Sequence, residues 1–302
     1  MFEENGPLAF DPADLIPDPE HLPLPGNPEG VELGTQHWRD AADQTENSDI
    51  ISFAEFTLQD NRIRRFMAAI FGNSPFLTQS LISDIGFSHR LFQEGPNKSF
   101  KSVVENLIGD AAPDKDTVQL MAALRQARRR VALTAACADI AGSWTLKEIT
   151  GALSQFAECA LQHAVAHLLF KGHAAKEIQL PDAEYPQHDS GFFVLGMGKL
   201  GARELNYSSD IDLILLFDPD AVQYVGKRTP QQFFVRLARQ LVQIMEERTG
   251  DGYVFRTDLR LRPDPGSTPP AISTVAAETY YESTGQNWER AAMIKARPVA
   301  GD

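Results

Sequence analysis

The sequence predicts an α+β protein: a helical N-terminal region followed by a domain built on a mixed β-sheet. Three observations lead there. From residue 50 to about 170, apolar residues recur at spacings of three, four and seven, the period of a buried helix face. Near Pro181 the pattern changes to apolar runs of strand length, 192–195 and Ile211–Phe217, bounded by turn residues. Thr229-Pro230 then opens one more helix, and residues 253–262 alternate in polarity as a third strand would.

Residues 1–48 read as a disordered, acidic, proline-rich tail. Seven prolines fall within the first 28 residues, and residues 1–50 hold twelve carboxylates against one arginine. Such a segment buries too little surface to offset its ordering entropy. The net charge of -13 is therefore local, because residues 51–302 hold 29 acidic and 27 basic groups. A nearly neutral body lacks the basic surface that replaces counterions on DNA or RNA, so no nucleic-acid partner is expected. The apolar runs are too short to cross a bilayer, and the first ten residues do not form a secretory signal. Two cysteines, Cys137 and Cys159, sit in apolar helical patterns and build neither a disulfide framework nor a zinc site. These features predict a cytoplasmic protein with no membrane partner.

Residues 49–180 form the expected helical region. Phe53, Phe56, Ile63, Phe66, Met67 and Ile70 share a helical face, and Ser74-Pro75 starts a short helix with proline in its first turn. The segment 117–138 carries Leu120, Leu124, Val131 and Leu133; Thr145-Leu-Lys-Glu148 is a capping box that opens a helix running through Leu169. Two features here are read as packing. His163 and His167 stand at i, i+4, a spacing that can bind zinc, but no acidic residue lies between them and no third ligand is evident. Arg125, Arg128, Arg129 and Arg130 read as a solvated helix face.

Residues 181–302 carry the chemistry. Gly196-Met-Gly198-Lys199-Leu-Gly201 follows a strand and matches G-x-G-x-x-G, the dinucleotide-binding fingerprint of an oxidoreductase. Spacing opposes that reading, since only about two helical turns separate Lys199 from the next strand, where a full crossover helix is required. A tight glycine turn and short helix instead leave backbone N–H groups free to meet a phosphate. Asp210-Ile-Asp212 then opens a strand whose period of two places both carboxylates on one face. Adjacent carboxylates repel unless a cation lies between them, and Mg2+ prefers such oxygen ligands together with substrate phosphates. In the third strand Arg256, Asp258, Arg260 and Arg262 alternate with Phe255, Thr257, Leu259 and Leu261, so a third carboxylate is ringed by guanidiniums able to match phosphate oxygens.

The 18 residues from Gly196 to Leu213 (Gly-Met-Gly-Lys-Leu-Gly-Ala-Arg-Glu-Leu-Asn-Tyr-Ser-Ser-Asp-Ile-Asp-Leu) closely resemble the signature of the glutamine synthetase adenylyltransferase/deadenylylase family. Phe255-Arg-Thr-Asp-Leu-Arg-Leu-Arg-Pro263 and Trp288-Glu-Arg-Ala-Ala-Met-Ile-Lys-Ala-Arg-Pro298 resemble its two downstream blocks. The likeness covers about residues 50–302 and implies a nucleotidyltransferase-like domain over 181–302. Members carry two related catalytic units; this wording looks like the N-terminal, deadenylylating one, with the second unit absent as in a truncated product. One departure stands out: the wider superfamily often has Gly-Ser at the turn, where this chain has Gly198-Lys199.

The resemblance implies removal of AMP from an adenylylated tyrosine of glutamine synthetase by phosphorolysis, giving ADP. It implies Mg2+ held by Asp210, Asp212 and Asp258, with Gly198, Lys199, Ser209, Arg260 and Arg262 on phosphate and nucleotide. It also implies partnership with adenylylated glutamine synthetase and a PII-type nitrogen signal protein. Within the same family, adenylylation from ATP is the alternative, and a non-catalytic module that binds glutamine synthetase is another.

Overall fold

The computed structural model describes residues 15–302. Two compact units make up the chain. One comprises the described residues up to Val103 together with Arg129–Ala152; the other comprises Val104–Arg128 and Leu153–Asp302. The divisions fall inside three helices, whereas the sequence suggests boundaries near residues 48 and 181.

The first unit is helical. Helix α1, Pro28–Asp43, overturns the expected disorder for much of the tail. Proline and charge content suggested disorder, but Pro28 sits at the first helical position, where its missing N–H costs nothing. Gly34, Trp38 and Ala42, each four apart, form a buried stripe that leaves the acidic residues to solvent. Trp38 is fully buried and donates from Nε1 to Thr57 Oγ1 at 3.0 Å. The expectation for residues 1–14 lies outside the described residues.

The periodic stretch after residue 48 forms two helices, α2 (Ser48–Gln59) and α3 (Asn61–Phe71). Asp60 separates them, its carboxylate accepting from Arg62 and Ile63 N–H at 2.9 Å each. Helix α4, Pro75–Ser83, is capped by Ser74 as its sequence predicts. Helix α5, Ile85–Asp110, breaks at Gly95, where φ is 74° and Pro96 follows. Edge-to-face contacts of Phe53 with Trp38 and Phe92, and of Phe92 with Phe66, fill the core.

Helices α6 (Thr117–Ala141) and α7 (Leu146–Ala174) contribute to both units, and Thr145 and Glu148 form the predicted capping box. The second unit adds β1 (Phe192–Gly196), α8 (Gly198–Gly201), β2 (Ile211–Phe217), α9 (Pro230–Glu246) and β3 (Thr257–Asp258). It ends with β4 (Ala271–Ser273), α10 (Thr274–Ser283), α11 (Asn287–Ala292) and β5 (Arg297–Gly301). The sheet is mixed, as expected of an α+β protein. Strand β1 lies antiparallel between β2 and β5, while β3 and β4 pair in parallel with successive parts of the other edge of β2. From Leu213 to Phe217 strand β2 is apolar and buried because both its faces are covered. Phe217 stacks on Phe234 of α9, and Ile214 and Leu216 pack with Met197, Ile272 and Ala277. Among the described residues no helix is long and apolar enough to cross a membrane.

Candidate active site

The glycine turn is shaped by close approaches. Gly198 has φ of +52°, and a Cβ there would lie 2.9 Å from Asp212 Oδ2, so glycine supplies both the backbone conformation and the room. A Cβ on Gly201 would meet the Lys295 carbonyl oxygen at 1.8 Å. Met197 N–H donates to the Asp212 carbonyl at 2.8 Å, tying the turn to β2. The dinucleotide reading fails on topology: α8 is four residues long, and β1 and β2 run antiparallel where that fold needs parallel strands.

The end of α8 is clamped by residues that the sequence reading missed. Arg297 of β5 donates to the Gly201 carbonyl at 3.2 Å and the Leu200 carbonyl at 3.1 Å. The same guanidinium pairs at 2.5 Å with Glu158 of α7, whose side chain is 12% exposed. Glu158 also receives Arg203 at 3.4 Å. A glutamate inside an apolar helical stretch, and an arginine inside the third family-like block, were the available signals.

The carboxylates meet at the start of β2. Ile211 turns into the core, Asp212 is half-buried, and Asp212 stands in register with Asp258 on the parallel strand β3. Burial raises the Asp212 carboxyl above its ordinary value, and repulsion from Asp258 and Asp210 adds to the rise against opposing attraction from Arg260 and Lys199. Asp258 is held low, chiefly by hydrogen bonds from Arg260. Arg260 folds back to grip Asp258 with its backbone N–H at 2.8 Å and its Nε at 2.9 Å. Asp210 is exposed at the mouth, where Arg256 binds it and also donates to the Ser208 carbonyl at 2.7 Å. Glu246, at the end of α9, accepts from Thr257 N–H at 2.6 Å and Thr257 Oγ1 at 2.7 Å, which holds β3 in place.

The structure thus brings Gly198, Asp210, Asp212, Asp258 and Arg260 together, with Lys199 near enough to act on Asp212. Ser209 sits in the turn before Asp210, its N–H on the Asn206 carbonyl at 3.3 Å. Arg262 is placed elsewhere. Its guanidinium donates to the carbonyls of Leu259 and Pro265 at 2.8 Å and Thr268 at 3.1 Å. The expected ten-residue strand is two residues long, because the chain turns after Asp258 and Arg262 fixes that turn. The alternation of charge was real, but it did not make a strand face.

His163 and His167 point their Nδ1 atoms at the carbonyls of Ala111 and Pro113, and His167 also meets Thr117 Oγ1 at 3.1 Å, so both pin the turn before α6. Burial pushes both below the ordinary histidine value, as packed imidazoles require. The arginine cluster is not a solvated face throughout, since Arg125 is 1% exposed and Arg130 pairs with Asp84 at 2.7 Å.

For a divalent cation the donor chemistry fits, since the Asp212 carboxylate interacts with those of Asp258 and Asp210 at the start of β2. No group of three or more His, Cys, Asp and Glu side chains converges on a metal-sized point among the described residues. Asp210 and Asp258 each hold an arginine, whereas Asp212 faces two like charges, an all-oxygen cluster of the kind that suits Mg2+.

Comparison with known proteins gives a consistent result. A family model described as glutamate-ammonia ligase adenylyltransferase matches residues 64–302. A bifunctional glutamine synthetase adenylyltransferase/adenylyl-removing enzyme of Rhizobium meliloti is 47% identical over 268 residues, which cover 86% of this chain and 27% of that protein. The protein of the same name from Agrobacterium fabrum is 47% identical over 251 residues, 80% of this chain and 25% of its own length. That of Bartonella quintana is 39% identical over 272 residues, 90% of this chain and 28% of its own. The chain spans about a quarter of the length of these relatives.

Proposed function

The chain belongs to the glutamate-ammonia ligase adenylyltransferase family, and on that premise we propose that it carries an adenylyl-removing site acting on glutamine synthetase. An oxygen of inorganic phosphate attacks the phosphorus of the AMP group on a modified tyrosine. The bond from phosphorus to the tyrosine oxygen breaks, the tyrosine recovers a proton, and ADP leaves. The observation that carries this reading is the register pairing of Asp212 with Asp258 directly beside Gly198.

Asp210, Asp212 and Asp258 are the residues that would hold Mg2+. When bound, the cation supplies charge neutralisation to the attacking and leaving oxygens. Gly198 lets the backbone approach the phosphate, and Lys199 offers a point charge at the first turn of α8. Arg260, with a side chain 84% exposed, reaches from Asp258 toward transferring oxygens and neutralises charge that grows in the transition state. Arg256 orients Asp210, and Glu246 holds the strand that bears Asp258. Arg262 contributes by shaping the turn after Asp258 rather than by touching phosphate.

The direction of reaction rests on the wording of the Gly196–Leu213 block, which resembles the deadenylylating unit. The relatives are named for both activities. Adenylylated glutamine synthetase is the proposed macromolecular substrate, phosphate and adenine nucleotide the small ligands, a PII-type signal protein the regulator, and the cytoplasm the location. The test is to incubate the chain with adenylylated glutamine synthetase and Mg2+ and to follow nucleotides. ADP release that requires phosphate supports the proposal. AMP incorporation from ATP with pyrophosphate release would assign the opposite direction. Capture of glutamine synthetase without turnover, unchanged in Asp210→Asn/Asp212→Asn, would make this a binding module.

A further inference from the structure

Two arginines of α6 within the second unit have no part in the chemistry described above, yet both bind the loops that carry it. Arg125 is 1% exposed and donates to the carbonyls of Gly252 at 3.0 Å and Ile244 at 3.2 Å, as well as to that of Glu247. It thereby closes the end of α9 and the loop that leads to β3. One turn further on, Arg128 donates from Nη2 to the Tyr207 carbonyl at 3.0 Å and lies over the Phe255 ring at 5.4 Å. Its Nε is shielded from solvent and has no partner.

The two residues that Arg128 touches are equivalent in one respect. Tyr207 lies three residues before Asp210, and Phe255 lies three residues before Asp258. A single guanidinium therefore holds the approach to both arms of the carboxylate cluster. The arms meet again through Ile211 N–H, which donates to the Arg256 carbonyl at 2.9 Å. A shielded cation carries a desolvation cost that a methionine of similar length would avoid. A planar fork can stack on a ring and hydrogen-bond at its edge at once, which neither methionine nor lysine can do.

We propose that Arg128 is a positioning residue that sets the spacing of Asp210 and Asp212 against Asp258, with Arg125 supporting the loop before β3. This rests on the cation-holding role proposed for the three aspartates. Outer partners of metal ligands act in this way, by fixing ligand geometry rather than by touching the metal.

The experiment titrates the full chain with Mn2+ and reads free metal by electron paramagnetic resonance, alongside amide exchange at Ile211. Loss of Mn2+ binding in Asp212→Asn establishes the site. Arg128→Met is then expected to weaken Mn2+ binding about tenfold or more, to speed exchange at Ile211, and to leave the circular-dichroism spectrum unchanged. Arg128→Lys, which keeps the charge and one donor, recovers part of the affinity. Should Arg128→Met fail to fold, Phe255→Leu removes the stacking arm, together with the ring contact to Phe156, keeps the Arg128 bond to the Tyr207 carbonyl, and is expected to weaken binding in the same direction. Parent-like Mn2+ affinity in a folded Arg128→Met, or in Phe255→Leu if that variant is needed, overturns the inference. If the parent binds no Mn2+, the reading of the aspartates fails separately. Exchange at Ile211 then decides the positioning role, and an unchanged rate overturns it.

Discussion

Asp212 and Asp258 are register partners on adjacent parallel strands, so two carboxylates stand side by side on one face of the sheet, and burial first, then repulsion from Asp258 and Asp210, raises the Asp212 carboxyl above its ordinary value. A carboxyl whose folded pKa lies above its unfolded value binds its proton more tightly when folded. Its ionised form therefore destabilises the fold at neutral pH, and stability returns as pH falls through the folded value. Asp212→Asn is expected to melt at a higher temperature than the parent at pH 7. The difference should shrink as pH falls through the raised folded value toward 3.8, the ordinary value at which the unfolded carboxyl titrates. Thermal melts of both proteins across that range check the sign.

Cation binding should reverse the order. Mg2+ at about 100 times its dissociation constant stabilises a folded site by about 2.7 kcal/mol. The parent should gain such a shift in denaturant unfolding, and Asp212→Asn should gain little. Equal gains in the two proteins would show that the ion binds elsewhere.

Gly198→Ala should damage the site more than the fold. The left-handed conformation costs a side chain about 1–2 kcal/mol, which denaturant unfolding reads directly. Turnover should fall much further, because the new Cβ would lie 2.9 Å from Asp212 Oδ2 and displace that carboxylate. Parent-like ADP release from this variant would contradict the placement of the turn.

The clamp on α8 predicts an ordered pair of effects. Arg297→Gln frees the carbonyls of Leu200 and Gly201 and leaves Glu158 without its closest cation. We expect a loss of about 1–3 kcal/mol in stability and a larger fall in turnover than in Glu158→Gln, which keeps the bonds to the carbonyls. Steady-state rates of the two variants test the order.

Much of the architecture is legible in local signals. Ser74, Thr145 and Thr229 cap the helices their sequence motifs announce, because each supplies a side-chain oxygen to an unpaired N–H of the first turn. Strands β1 and β2 follow apolar runs, and the glycine turn lies where its motif stands. What escaped the sequence depends on tertiary partners. Helix α1 is masked by prolines and acids, and only the burial of Trp38 against Thr57 reveals why it forms. Trp38→Ala is therefore expected to cost about 3–5 kcal/mol in denaturant unfolding, whereas a disordered tail would lose nothing.

The candidate site divides in the same way. Asp210 and Asp212 could be paired by strand period alone, but the register that brings Asp258 to Asp212 is a parallel pairing no local pattern specifies. Residues 253–262 alternate like a strand, yet Arg260 returns to Asp258 and Arg262 binds three carbonyls of the following turn. Arg125 and Arg128 look like a solvated basic face because their acceptors are backbone carbonyls far along the chain.

On the proposed function, Asp210, Asp212 and Asp258 form the site of phosphate-dependent adenylyl removal. Its most direct measurement is ADP release from adenylylated glutamine synthetase with phosphate and Mg2+, comparing the parent chain with Asp210→Asn/Asp212→Asn. Release by the parent is expected, with none above background from the folded double variant. Release that persists in the double variant would contradict it.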